Sequence, residues 1–301
     1  MPPRMFERQK TGSALCSSCG RLVGINDETC FNCGRSNPSM WGFGGAIRAL
    51  GRDMGFVKLV IIGSVFLYIA TLAVDPSGIQ MGGLMSMLSP STNALFIFGA
   101  SGHIPVFELG RWWTVLSAGW LHGGLMHIGF NMYIVQRFAP AVAEYYGAGR
   151  MIIIYTVACI TGFTFSSVAM LIYPYLPFGW LLSLLSFVGL AGARLTIGAS
   201  ASVFGLLGAL WYYSRRTGSS ALEQQMKYYA IMFAVFGIVM RGVDNQAHLG
   251  GLVGGYFVAK FLDPLTPERG DHLLIAVVCI ALTAIAVIVS FVTGLNFFPN
   301  P

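Results

Sequence analysis

Charged residues are scarce in this sequence of 301 residues. Asp, Glu, Lys and Arg make up 10% of it, where a soluble domain carries about a quarter. With a hydrophobic share of 55% and a mean hydropathy of +0.68, that scarcity excludes a water-soluble fold and implies an all-α polytopic membrane protein. No apolar run opens the chain. Its first residues are polar and hold cysteine pairs, which argues against a cleavable signal peptide. Inverted repeats and charges at the middle of the apolar segments, the marks of a transporter, are also lacking.

A spanning helix needs roughly 18 or more predominantly apolar residues. Seven segments qualify, at about 57–74, 115–138, 151–172, 197–213, 226–242, 246–262 and 273–295. The fifth reaches bilayer thickness only with Lys227 and Arg241 snorkelling to its two interfaces. Residues 174–193 are apolar too, but prolines and glycines leave an uninterrupted run of about a dozen residues, short of a span, so this segment reads as an outer loop. The net charge of +6 follows position. With the N-terminus inside, only Arg111, Arg194 and Arg241 of the 18 Lys and Arg residues fall outside, the bias typical of cytoplasmic loops. Arg4, Arg48 and Arg52 are among the inner ones. No nucleic-acid partner is implied.

The stretch CSSCGRLVGINDETCFNCG places Cys16, Cys19, Cys30 and Cys33 in two Cys-x-x-Cys-Gly knuckles. Four thiolates at this spacing suit a tetrahedral zinc ion. A redox or disulfide pair is the alternative, disfavoured by a reducing cytoplasm. A site with four protein ligands is closed, so its expected role is structural or the binding of a cytoplasmic protein partner. Residues 41–58 mix aromatic, basic and glycine residues and read as an interfacial connector in contact with membrane lipids.

Polar groups inside spans are costly and mark function. The second span holds His122, His127 and Asn131; the fourth opens on Ser200 and Ser202; the sixth opens on Asp244 and His248. These three spans run in the same direction, and Ser200 and His248 both lie a turn or two inside their helix starts. Ala201, Gly205 and Ala209 form a small-residue stripe on the fourth span, matched by Ala247, Gly251, Gly255 and Ala259 on the sixth, and such faces let membrane helices approach closely. Close packing would join the Ser200 hydroxyl to the His248 imidazole as nucleophile and general base. His127 and Asn131, four apart on one helical face, would join the Ser200 N–H as donors to an oxyanion. His122 is assigned to holding the first outer loop, and Asp244 to capping the sixth helix, which leaves the histidines no carboxylate partner for a metal site. A second serine, Ser101 in GASGHIP, lies between spans in a glycine-rich loop with no helix to fix it and only His103 nearby, and is read as a decoy.

GASASVFGLLGA, AHLGGLVGG and HGGLMHIGFN together resemble the rhomboid family of intramembrane serine proteases over roughly residues 57–262. The resemblance implies a six-helix core with Ser200 and His248 as the dyad and His127 and Asn131 in the oxyanion hole. It implies no cofactor for catalysis, and substrates that are themselves transmembrane proteins, cleaved near the outer end of a helix. The seventh span is similar to the six-plus-one arrangement of some members. Expected organisation is therefore a zinc-ribbon-like head (1–38), a linker (39–58), the core (57–262) and a C-terminal loop with the seventh helix (263–301), in a bacterial inner membrane. The residue after the nucleophile, usually glycine in the family, is Ala201. Phe204 keeps the ring that packs on the histidine but carries no hydroxyl. Thr114 follows Trp113 where the family has arginine, with Arg111 as the substitute. An inactive relative that binds membrane clients is the competing reading; it would lose the serine or the histidine, and both are present.

Overall fold

A computed structural model describes residues 8–17, 19–44, 53–83, 86–240 and 242–297. Arg4, Arg48, Arg52 and Arg241 of the expected charge pattern, and the middle of the expected connector, residues 45–52, lie outside the described residues. The chain begins with a small β head. Strands β1 (Ser13–Leu15) and β2 (Leu22–Gly24) pair antiparallel with Ala14 opposite Val23.

Among the described residues seven long helices follow: α1 (Phe56–Val74), α4 (Leu125–Tyr146), α5 (Ala148–Ile172), α7 (Ser200–Thr217), α8 (Ser220–Val239), α9 (Asn245–Phe261) and α10 (Gly270–Leu295). Three short ones lie between them: α2 (Thr92–Ile97), α3 (Thr114–Ser117) and α6 (Gly179–Phe187). At nine residues, α6 rises only about 14 Å, under half of a hydrocarbon core. It therefore does not span, as its prolines and glycines foretold. On length and composition alone, α1, α5 (extended to Tyr175) and α10 are apolar enough to cross a membrane. Of the other four, α9 has only 17 residues, and α4, α7 and α8 are diluted by what they carry: site polar groups on α4 and α7, packing glycines on α7, and the Glu223–Lys227 ion pair (2.8 Å) at the start of α8.

The expected second span at 115–138 is corrected. Its first part is α3 and a 3-10 turn at Ala118–Trp120; the chain then breaks at Leu121–Gly124, and α4 runs on to Tyr146 with Pro140 inside it. Hydropathy does not register this break, because the Gly123-Gly124 pair that interrupts the helix is flanked by apolar residues on both sides.

The loop between α1 and α4 is folded. It holds an antiparallel hairpin, β3 (Gln80–Gly82) with β4 (Ser86–Ser89), then α2, one π turn at Ile104–Glu108, and α3. The bundle core is made by α5, α7 and α9, where small residues replace large ones. A methyl on Gly251 would fall on the Ala201 carbonyl, one on Gly255 on the Gly205 backbone, and one on Gly208 on the Leu252 carbonyl. From α5, Gly162 meets Ala201 and Ala247, and Ala158 meets Gly205. The two predicted stripes do interleave.

Candidate active site

α7 begins at Ser200, and no side chain caps it, so the amides of its first turn point free at a helix N-terminus. α9 begins at Asn245 and is capped by Asp244, whose carboxylate accepts from the Ala247 N–H at 3.0 Å and from the Ser166 hydroxyl of α5. His248 falls within the first turn of α9. Glycine contacts bring the two helices close enough that Ser200 Oγ lies 2.9 Å from His248 Nε2. Phe204, one turn beyond Ser200, stacks on the imidazole with centroids 4.2 Å apart and planes 13° from parallel. The other ring nitrogen, Nδ1, faces Asn245 Oδ1 at 3.3 Å.

Across from this pair stands α4. His127 Nδ1 accepts from the Gly123 N–H at 3.1 Å, so the proton of the neutral ring sits on Nε2. That Nε2–H borders Gly198. A Cβ built on Gly198 would lie 2.8 Å from His127 Nε2 and 3.7 Å from Ser200 Oγ, and the residue's φ of +123 already favours glycine. Its missing side chain leaves a hollow between the histidine donor and the serine hydroxyl. Asn131 is buried and donates one amide hydrogen to the His127 carbonyl at 2.9 Å, which leaves its second hydrogen free of that bond. A hydroxyl paired with an imidazole, beside a hollow edged by N–H donors, is equipment for acyl transfer.

His122 belongs to the break before α4, not to the helix. It is fully buried, and its ring meets His127 edge-on with centroids 5.2 Å apart. Arg111 tethers the first loop to α10. This side chain is 2% exposed, donates to the Phe96 carbonyl (3.0 Å) and to the Ser290 carbonyl of α10 (2.7 Å), and lies over the Phe96 ring.

The reading of Ser101 as unfixed is corrected. It is fully buried, exchanges two backbone hydrogen bonds with Thr196 (3.0 and 2.8 Å) and accepts from the Thr114 hydroxyl at 3.3 Å. His103 is turned to Glu108 (3.4 Å). Among the described residues no base bonds the Ser101 hydroxyl, and its burial denies access.

The Rhomboid domain family model matches residues 109–264, more than half of the chain and all of the helices just described around the dyad. The chain belongs to the rhomboid family. It is 33% identical over 198 residues to "Rhomboid protease GluP" of Bacillus subtilis (strain 168), covering 64% of this chain and 34% of that protein. Similarity to "RHOMBOID-like protein 5" of Arabidopsis thaliana is 29% over 191 residues, 61% of this chain and 54% of the other. With "Rhomboid-like protease 1" of Toxoplasma gondii it is 26% over 178 residues, 57% and 54%. The chain thus spans from a third to about half the length of these relatives. As a rhomboid, it is a multi-pass integral membrane protein with a six-helix core and one added C-terminal helix.

The rhomboid core carries a head with its own site. Cys16 Sγ lies 3.7 Å from Cys33 Sγ, Cys19 Sγ lies 3.7 Å from Cys30 Sγ, and all four are within 4.8 Å of one another with no disulfide formed. The two knuckles repeat each other. Cys16 N–H donates to the Arg21 carbonyl and Gly20 N–H to the Cys16 carbonyl; Cys30 and Arg35, then Gly34 and Cys30, do the same. Gly20 (φ +74) and Gly34 (φ +70) supply the left-handed turn that each knuckle requires. Burial opposes ionisation of Cys19, but the Arg21 amide and its side-chain neighbours bring it down to about 6, while burial and the surrounding thiols hold Cys33 up at about 12. The cluster can hold a metal ion. It touches the core far from Ser200, where Arg35 donates to the Glu268 carbonyl at 3.2 Å. There Arg150, buried at the start of α5, also binds the Asp263, Thr266 and Pro267 carbonyls.

Two features escaped the sequence. Asn245 stands three residues before His248, a spacing that puts both on one helix face and could have flagged it. Arg111 gave no signal of its partner, which is 179 residues away.

Proposed function

We propose that this rhomboid is an active intramembrane serine endopeptidase. The observation that carries it is the 2.9 Å approach of Ser200 Oγ to His248 Nε2. Ser200 attacks the scissile carbonyl while His248 Nε2 takes the hydroxyl proton; the tetrahedral intermediate collapses to the acyl-enzyme as His248 returns that proton to the leaving amine, and a water deprotonated by His248 then releases the acyl group and regenerates Ser200. The oxyanion sits in the hollow at Gly198, met by His127 Nε2–H, the Ser200 N–H and the second amide hydrogen of Asn131. Phe204 keeps the imidazole in plane, and His122 packs behind His127. The Bacillus and Toxoplasma relatives are named as proteases, which favours activity over a client-binding role.

Substrates are transmembrane proteins cut near the outer end of a helix. In this reading the N-terminus is cytoplasmic, the membrane is the bacterial inner membrane, and the head, a unit of residues 1–38 joined by the linker 39–58, holds a structural zinc ion and can dock a cytoplasmic protein. Tetrahedral thiolate ligation favours zinc over harder cations. Catalysis itself uses no cofactor.

Incubating the detergent-solubilised protein with a generic transmembrane substrate tests the assignment. Cleavage should occur with the parent protein and disappear in both Ser200→Ala and His248→Ala. Cleavage by a folded Ser200→Ala variant would refute it.

A further inference from the structure

The dyad has a third member upstream of the histidine. We infer that Asn245 is a positioning residue that fixes the tautomer of His248, and that its own orientation is set by the backbone carbonyl of Val188 at the end of α6. The inference rests on the dyad reading above.

The argument starts at Val188. Its carbonyl can only accept, and Asn245 places its side-chain amide 2.8 Å from it. The nitrogen Nδ2 must therefore be the atom facing Val188, and Oδ1 must be the one facing His248 Nδ1 at 3.3 Å. An amide oxygen only accepts as well. Nδ1 must then carry the ring proton, which leaves Nε2 with its lone pair directed at the Ser200 hydroxyl. One carbonyl of a short helix so determines, through a single amide, which imidazole nitrogen is free to act as base. Histidine tautomers are generally set in this way by the partner of the nitrogen that does not react.

Packing leaves Asn245 little alternative. It is 8% exposed, and Gly237 of α8 faces it so closely that a methyl there would fall on Oδ1. The next residue, Gln246, donates its N–H to the Gly189 carbonyl at 3.1 Å, a second bond between the end of α6 and the start of α9. An asparagine with only a packing role would not need both of its polar atoms committed to groups of fixed donor or acceptor character.

Asn245→Leu and Asn245→Asp test the inference. Leucine fills the space and removes the acceptor. kcat should fall by about tenfold to a hundredfold, less than the ~10⁴-fold cost of losing an ionised orienting carboxylate in a serine protease triad, with KM for a transmembrane substrate changed by less than about twofold. Aspartate keeps an acceptor on Nδ1 and, ionised at alkaline pH, adds a negative charge that favours imidazolium, while giving up the hydrogen donated to the Val188 carbonyl. It should recover most of the lost kcat at alkaline pH, with the acid limb of the rate profile moved to higher pH. His127 from α4, the other titratable group felt at the ring, is the same in both variants. Parental kcat in the leucine variant, or an unmoved acid limb in the aspartate variant, would overturn the inference. The aspartate profile decides the matter alone if the leucine variant does not fold. Ser200→Ala and His248→Ala run beside them: cleavage persisting in these sinks the dyad itself, whereas their inactivity with an unmoved aspartate profile removes only the role of Asn245.

Discussion

Ser101 and Thr196 exchange backbone hydrogen bonds of 3.0 and 2.8 Å, so the two serine-bearing tetrapeptides, GASG and GASA, are parts of one construction. Thr196 lies four residues before Ser200. The Gly198 N–H between them donates to the Ala118 carbonyl at 2.9 Å. The first loop thus holds the approach to α7 straight while α7 presents the hydroxyl.

The two serines should separate cleanly with a fluorophosphonate probe. Ser200→Ala should lose labelling and cleavage together, since nucleophile and base act as a unit. Ser101→Ala, which removes only a buried hydroxyl accepting from Thr114, should label like the parent. Variants at His127 or Asn131 should lose on the order of a hundredfold in rate per donor removed. Labelling that survives in Ser200→Ala and vanishes in Ser101→Ala would reverse the assignment.

Gly251 sets the distance between α7 and α9. Gly251→Val would place a Cβ on the Ala201 carbonyl and add two further methyls to the contact, an overpacking that costs about 1–3 kcal/mol or more and pushes His248 from Ser200. Probe labelling should drop at least tenfold while the protein still purifies as a folded species. Undiminished labelling would mean that the glycine stripe does not govern the dyad.

The close approach of Ser200 to His248 was legible because small-residue stripes and polar residues in apolar helices are local patterns. The start of α4 was not. Hydropathy averages over Leu121–Gly124 and does not see the break, so His122 was assigned to the wrong element. Ser101 and Arg111 were misjudged or underused for another reason: what fixes them is far away in sequence, at Thr196 and Ser290, and no window of residues contains both partners.

Replacing Cys16 and Cys19 with serine should remove one bound zinc ion per chain, as read by metal analysis. Cleavage in detergent should be largely retained, because the head meets the core at Glu268 and not near α7. Complete loss of cleavage in a folded, zinc-free variant would show that the head takes part in the reaction.

Substrate choice should follow helix stability. A helical segment must expose its carbonyls before a hydroxyl recessed between α4, α7 and α9 can attack one. Glycine or proline introduced near the outer end of a poor substrate should speed its cleavage, measured as initial rate in proteoliposomes. Equal rates for leucine-rich, strongly helical segments would remove unwinding from the mechanism.

The bond from Arg111 to the Ser290 carbonyl also ties the first loop to a helix outside the core. A guanidinium that close to the apolar interior is costly until its hydrogens are satisfied, and one of its two carbonyl partners lies on α10. A chain cut before α10 would keep Ser200 and His248 and lose that partner, so the loop that bonds Thr196 would be held less firmly.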